Sequence, residues 1–396
     1  MANIESHYTE QLTEQSTASA SYTDITGASI ASGNFTTDDR YLILVTAQVK
    51  ASSSGDVFGI QTLHGSTAFT HSEFEFEPVT AATDYTYQFF TVWTAVSGEG
   101  IKLQFKSTGS NYVYADTITL LAINLDDSNA NFTKGTEWDY AETDADTSMS
   151  SSWSSTNNAS VTLPGNTQSG DYLLLSTAQF STNSTSSSLQ SGAAYSEGGA
   201  PTAHRSHLQE GEDTSELQHH TVAELVESLS ASTTRYQVAR NDSASKGTRQ
   251  LSKIFYLYLD AFNTQGATQT TTADALDYYP TFTEHHTLSF TEGSPTDKWI
   301  VYSWCLTTND SADENYARLQ IDGASVPENV DDRGFNATWD ATDYLAHSVC
   351  VRTDTSIDTS IDIDVCETYD TVGTADEGVI VVFSTELPTT GIIVTP

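Results

Sequence analysis

Histidines come nearest to a chemical motif in this chain. His204 and His207 flank Arg205-Ser206 in a Ser/Gly-rich stretch, His219-His220 follow, and His285-His286 lie further on. A zinc site needs ligands converging at about 2.0–2.3 Å, and a His-x-x-His pair on a loop can supply two of them. Neither a Cys-x-x-Cys pair nor an acidic ligand at motif spacing accompanies these histidines, so they read as a polar loop and an exposed strand, and no metal is assigned. The acidic loop Asn329–Gly334 and the aspartates from Asp354 to Asp364 offer the hard oxygen donors that calcium takes. Their spacing is not that of an EF-hand loop, and solvated acidic surface is the expectation.

The sequence has no P-loop, Gly-x-Ser-x-Gly, His-Glu-x-x-His or Gly-x-Gly-x-x-Gly motif. With 53 acidic residues, two carboxylates at glycosidase spacing are expected by chance alone. We therefore expect no catalytic residue, no cofactor and no cofactor-binding residue, and a protein that is not an enzyme. Cys305, Cys350 and Cys366 form no disulfide framework and read as small buried hydrophobes on strands.

Composition narrows the partners. The 53 acidic residues face 15 basic ones, a net charge of −38, which repels nucleic acid and anionic membrane alike. No apolar run reaches the 18 residues of a membrane span, and the start Met1-Ala2-Asn3-Ile4-Glu5 has neither the basic nor the apolar region of a secretory signal. The expectation is a soluble protein made in the host cytoplasm. Only 17% of residues are charged, and Ser and Thr fill the gap, which suits strands with hydroxyl-bearing outer faces.

A repeat organises the chain. Residues 41–49 read Tyr-Leu-Ile-Leu-Val-Thr-Ala-Gln-Val, and a shift of 131 gives Tyr-Leu-Leu-Leu-Ser-Thr-Ala-Gln-Phe at 172–180. A further shift of 127 reaches the apolar run that opens at Trp299, and it places Cys305 at the Ala47 and Ala178 position. The first shift also carries Ala28-Ser29-Ile30 onto Ala159-Ser160-Val161, with Leu288 taking the Ile30 place in the third copy. Leu120–Asp126 matches Ile254–Asp260, and Val379–Phe383 closes the third copy. Alternation such as Ile101-Lys102-Leu103-Gln104-Phe105 marks strands with one buried face.

The fold class is therefore all-β: three tandem antiparallel β-sandwich domains, jelly-roll-like, with roughly eight strands each. Their boundaries are 1–128, 129–265 and 266–388, followed by an extended tail at 389–396, with Asp126–Gly135 and Asn263–Ala273 as the connections. Ser215–Ser230 has a faint helical pattern but aligns with strands and reads as strand or loop. Short connections favour domains stacked in a row; the alternative is that the three repeats mimic a trimer within one chain.

The tandem Tyr-Leu-Ile-Leu and Tyr-Leu-Leu-Leu sandwiches, the Ser/Thr/Asp-rich loops and the absence of a signal resemble accessory virion proteins of marine or halophilic tailed viruses. The resemblance implies a capsid decoration (cement) or head-protrusion protein located in the virion. It implies the major capsid protein or other virion proteins as partners, and a homo-oligomer, a trimer being favoured. It carries no site residues. A second class of function is a receptor- or carbohydrate-binding tail-fibre adhesin with a host glycan as partner. Its candidate aromatics are Tyr278-Tyr279, Trp339 beside Asp340, and Trp138 beside Asp139.

Overall fold

A computed structural model describes the chain from Ile4 to Ser384, apart from residues 55–56, 77–83, 129–131, 155–157, 166–169, 183–187, 196–201, 211–216, 228, 242–246, 262, 271–273, 276, 279–280, 290–297, 308–314, 327–334, 339–343, 354–356, 358 and 368–373. The described residues form six sheets, each drawing its strands from one third of the sequence.

In the first third, β1 (Ser6–Gln11), β10 (Val113–Asn124), β4 (Arg40–Ala51) and β8 (Asp84–Thr94) lie side by side in that order, and β2 (Gln15–Thr17) also pairs with β10. Its second sheet orders β3 (Thr23–Ile30), β9 (Ile101–Ser107), β5 (Phe58–His64) and β6 (Thr67–Ala68), with β7 (Phe74–Phe76) on β5. The middle third repeats the plan. β11 (Trp138–Ser148), β18 (Gly247–Tyr258), β13 (Tyr172–Thr182) and β16 (Leu217–Val226) make one sheet. β12 (Ser160–Leu163), β17 (Thr233–Asn241), β14 (Ser188–Tyr195) and β15 (Thr202–Glu210) make the other.

In the last third, β19 (Asn263–Thr270), β29 (Thr374–Ser384), β23 (Lys298–Thr307) and β27 (Tyr344–Thr353) form the first sheet, with β20 (Asp274–Ala275) on β29. The second is built on β28 (Ser360–Glu367) and β24 (Asn315–Ile321). There β21 (Asp277–Tyr278) and β22 (Thr283–Ser289) pair with β28, and β25 (Ala324–Val326) and β26 (Phe335–Thr338) pair with β24. Among the described strands all pairings are antiparallel except the two-residue β21–β28 contact.

Each first sheet therefore has one order: an opening strand, the closing strand, the long apolar strand, then a rim strand. That is the jelly-roll plan, with the chain's first and last strands of each copy adjacent. Burial explains why the sequence adopts it. In the first copy's second sheet one face is wetter, as in β9, where Ile101, Leu103 and Phe105 are buried and the residues between them are only partly covered. The long apolar strands differ. In β4 every residue from Tyr41 to Val49 is buried, so both faces are covered. Tyr41, Ile43 and Val45 point into the first sandwich, while Leu42 and Leu44 point out of it into a shared cluster.

Three expectations change. Asn263–Thr270 is not a connection but strand β19, hydrogen-bonded along β29, since Thr and Gln suit a sheet edge as well as a turn. The copies do not stack in a row: all three contribute to one buried cluster. The third copy is also one residue out of the sequence register. Leu42, Leu173 and Trp299 occupy one face and pair with Ile123, Leu257 and Phe383, so the second shift is 126 rather than 127. Matching Trp299 to Tyr41 and Tyr172 by aromatic type crossed the pleat, and one residue of slip exchanges faces. Trp304, not Cys305, holds the place of Ala47 and Ala178; the Cys305 side chain lies outside the described residues. Cys350 and Cys366 are buried and take part in no disulfide. Leu217–Val226 is strand β16, within the segment that carried the faint helical pattern. Among the described residues no helix is long and apolar enough to cross a membrane.

Candidate functional site

The shared cluster is where the three copies meet. Rim, apolar and closing strands each supply one residue to its central layer: Phe90, Leu44 and Leu121 from the first copy, Ala223, Leu175 and Phe255 from the second, Cys350, Val301 and Val381 from the third. Within each triplet the residues are direct cross-strand partners, so the nine positions are equivalent by register. Leu44, Leu175 and Val301 line one small cavity, with space for about one water molecule. A pseudo-three-fold axis passes through it.

The contacts around this axis close on themselves. Rim strand β16 lies against β7 of the first copy, β27 against β15 of the second, and β8 against β26 of the third. Opening strands follow the same cycle: Tyr140 of β11 reaches Thr91 of β8, β19 lies on β16, and Glu10 of β1 reaches Arg352 of β27. Each copy uses one surface on its predecessor and a different one on its successor. Head-to-tail contacts of this kind make a ring when the rotation closes, and here it closes at three.

Along the axis the chemistry changes. Toward the inter-copy connections it is apolar, with Leu42, Ile123, Leu173, Leu257, Trp299 and Phe383 capped by Ile4, Leu125, Trp138 and Leu259. Asp126 fixes the first connection by accepting from the Arg40 backbone N–H at 2.8 Å and from its Nε at 2.7 Å. Arg40 in turn lies 4.7 Å over the Trp138 ring. Gly135, at φ 83, takes the left-handed turn that brings the chain back to Trp138.

Away from the connections the layers become polar. Thr46, Thr177 and Ser303 hold one equivalent position, followed by Gln48 and Gln179, all of them buried. Thr46 Oγ1 accepts the Cys350 N–H at 3.1 Å, a bond between copies, and the Thr177 and Thr221 hydroxyls hydrogen-bond at 2.8 Å. Sheet irregularities recur here at Gln48, Gln179 and Cys305, three equivalent places.

The interface of copies one and two is polar and closely knit. Gln179 Nε2 donates to the Glu73 carbonyl at 2.7 Å and to His219 Nε2 at 3.1 Å, while its Oε1 accepts from His71 Nδ1 at 2.6 Å. His71 Nε2 meets Asp144 at 2.9 Å. Lys253 is buried with its Nζ 3.3 Å from Thr91, 3.7 Å from Glu142 and 4.5 Å over the Phe89 ring. Tyr140 donates to Glu142 and contacts Thr91 at 3.2 Å, which joins the two copies. Burial pushes the Lys253 ammonium down to about 8, against the attraction of Glu142. Burial, reinforced by Lys253, pushes His219 down to about 3, so the ring is neutral. Burial likewise raises the Cys350 thiol, which disfavours the thiolate.

The residues singled out from sequence fall as follows. His204 and His207 belong to strand β15, not to a loop, and their side chains, like that of His220, lie outside the described residues. His219 is in the interface, and His285 and His286 are buried on β22. Among the described residues no group of three or more metal-type side chains converges. Asn329–Gly334, Asp354, Asp358, Trp339, Asp340, Tyr279 and the Tyr278 side chain lie outside the described residues. Asp362 and Asp364 are not open acidic surface: both are buried, and Arg318 Nη2 reaches Asp364 at 3.0 Å. Burial raises the Asp364 carboxyl in spite of that arginine. Trp138 is 1% exposed and packs in the shared cluster, so it is no sugar platform.

The sequence reading missed Tyr8-x-Glu10 and Tyr140-x-Glu142, which occupy equivalent opening-strand positions opposite Leu121/Thr119 and Phe255/Lys253. The repeated Tyr-x-Glu was the signal that would have found them.

No family model matches the chain, and no curated protein matches it. Solved structures that align with it include one described as the triple jelly roll fold and turret assembly of an archaeal virus, at 11% identity, 96% of this chain, 91% of that chain and TM-score 0.21. Another is a tandem carbohydrate-binding module pair from Paenibacillus barcinonensis, at 11% identity, 63% of this chain, 93% of that chain and TM-score 0.21. A third is the IBDV viral particle, at 6% identity, 96% of this chain, 78% of that chain and TM-score 0.24. Likeness at this level assigns no function.

Proposed function

We propose that the chain is a non-enzymatic structural protein of a virus particle, a capsid decoration or head-protrusion component that binds the major capsid protein or another shell protein. The observation that carries this reading is the closed ring of three jelly rolls. It spends the chain's apolar surface and its buried polar groups on packing the copies together. Such a block is rigid, poor in exposed edges and strongly acidic outside, which suits a component displayed on a shell. A trimer of separate chains loses its motive in this reading, because the face that would drive it is already covered within one chain. Assembly on the particle then uses the outer surfaces. Quantitative mass spectrometry of gradient-purified particles from the source tests the proposal. The chain should co-sediment with intact particles at a fixed ratio to the shell protein, and its absence from them would sink the idea.

One observation favours the second reading, a glycan-binding module. Tyr112 is 49% exposed, and its ring lies 6.2 Å from that of Tyr114, beside Lys50, which pairs with Glu14 at 2.7 Å. An exposed tyrosine beside a half-buried one, flanked by charged groups, offers a stacking platform for a sugar ring. A glycan array with the intact chain and Tyr112→Ala tests it: hits abolished by the substitution support the adhesin, and a blank array removes it.

A further inference from the structure

Two of the three seams in the ring are spanned by the chain: copy one passes to copy two between Leu125 and Trp138, and copy two to copy three through the 3-10 turn Leu259–Ala261. The seam between copies three and one is made by contacts alone. Its fastening differs from the others. Pairing places Arg352 beside Trp299 on β27, where β8 has Val92 beside Leu42 and β16 has Leu225 beside Leu173. The guanidinium carbon lies 4.3 Å from the Tyr8 ring centre, and Nη1 is 3.4 Å from Glu10 Oε2. Tyr8 meets the Trp299 ring edge-on at 5.4 Å. Both charged side chains are mostly covered, at 14% and 21% exposure.

We infer that Tyr8, Glu10, Trp299 and Arg352 form a closure latch by which one chain completes its own three-fold ring, and that the partner this surface excludes is a second copy of the same chain. The first copy's opening strand offers the third copy an aromatic face and a carboxylate. A neighbouring chain carries the same offer. Within one chain the two faces meet at an effective concentration in the millimolar range, far above that of free protein. With the latch shut, Tyr8, Val96 and Tyr112 are the large apolar side chains left exposed among the described residues, Tyr8 at 43%. With it open, the third copy's Trp299, Val301 and Cys350 face becomes an acceptor for the first copy of another chain. Head-to-tail contacts that do not close run on into open oligomers.

Glu10→Arg in the full chain tests this by setting a second cation against Arg352. In sedimentation velocity, the unmodified protein should be a single 42.9 kDa species from roughly 1 to 100 μM. Glu10→Arg should show concentration-dependent dimers and larger species, with a melting temperature lower by about 5 °C. The swapped pair Glu10→Arg with Arg352→Glu should return to monomer. Should Glu10→Arg not yield folded protein, Tyr8→Ala removes the aromatic face without adding charge and should raise the oligomer fraction at the highest concentration. A trimeric unmodified protein would overturn the inference. So would variants that stay monomeric at an unchanged melting temperature, or oligomers that the charge swap does not reverse.

Discussion

The two ends of the pseudo-three-fold axis divide the work of association differently. Toward the connections, leucine, isoleucine and phenylalanine side chains pack without a polar atom that needs a specific partner, and the Trp138 and Trp299 indoles bring one N–H each. Toward the other end, Thr46, Thr177, Gln179, His219 and Lys253 are as deeply buried, but each polar group must find its mate. Apolar layers supply adhesion that tolerates small rotations. Hydrogen-bonded layers supply little net energy and penalise any rotation that breaks them. The ring is held by one end and set in register by the other.

The largest effect should come from breaking the apolar end. Leu175→Asp buries a lone carboxylate among Leu44, Val301 and Phe90 and should cost more than about 4 kcal/mol in urea unfolding. Small-angle scattering should show the ring opening, with a radius of gyration rising from the value of about 21 Å expected for a compact chain of this length. A compact particle of unchanged stability would show that the axis is not the structural centre.

Acid should act next, at the polar end. His219 is held near 3 when folded, against an ordinary value of 6.5, so the unfolded chain takes up its proton first as pH falls. Its contribution to stability is therefore lost progressively as pH falls from about 6.5 toward 3. Between pH 6.5 and 5 the unmodified protein should lose roughly 2 kcal/mol more than His219→Gln. Parallel pH curves for the two proteins would mean that His219 is not sealed in the interface.

How much of this was written in the sequence depends on which face of a strand is asked about. The repeat and the jelly-roll plan are legible because Tyr-Leu-Ile-Leu and Tyr-Leu-Leu-Leu recur with their flanking strands in order. The ring was legible too, in a signal easily passed over: Tyr41 to Val45 is apolar without alternation, and a strand wet on one face would alternate. What the residues could not announce is which sheets cover one another, since burial by another copy and burial by another chain leave the same pattern. The third-copy register was lost for a related reason, because Trp299 resembles Tyr41 in size while belonging to the opposite face. Arg352 was hidden altogether, a lone charge whose meaning depends on Glu10, more than three hundred residues away.

A smaller effect concerns the register of the copies. Thr46→Val leaves the buried Cys350 N–H without its acceptor and should cost about 1–2 kcal/mol, while Thr46→Ser should recover most of it. Equal losses from both would assign the cost to packing instead. Smallest of all is the response to salt. Screening of the −38 charge should raise the melting temperature by about 1–2 °C between roughly 0.1 and 1 M sodium chloride, with sucrose as control. A flat or falling curve would show the acidic groups held in compensated networks.

Tandem linkage of the copies has one more consequence. In a ring of identical subunits every substitution is felt three times, so a residue that improves one seam must be tolerable in all of them. Here each seam has its own sequence, and inheritance can act on one without touching the others. A charged latch between the third and first copies, a histidine-lined joint between the first and second, and a Cys350 thiol where the other copies carry Phe90 and Ala223 are all affordable only because the symmetry is no longer enforced. The chain keeps the geometry of a trimer and escapes its genetics.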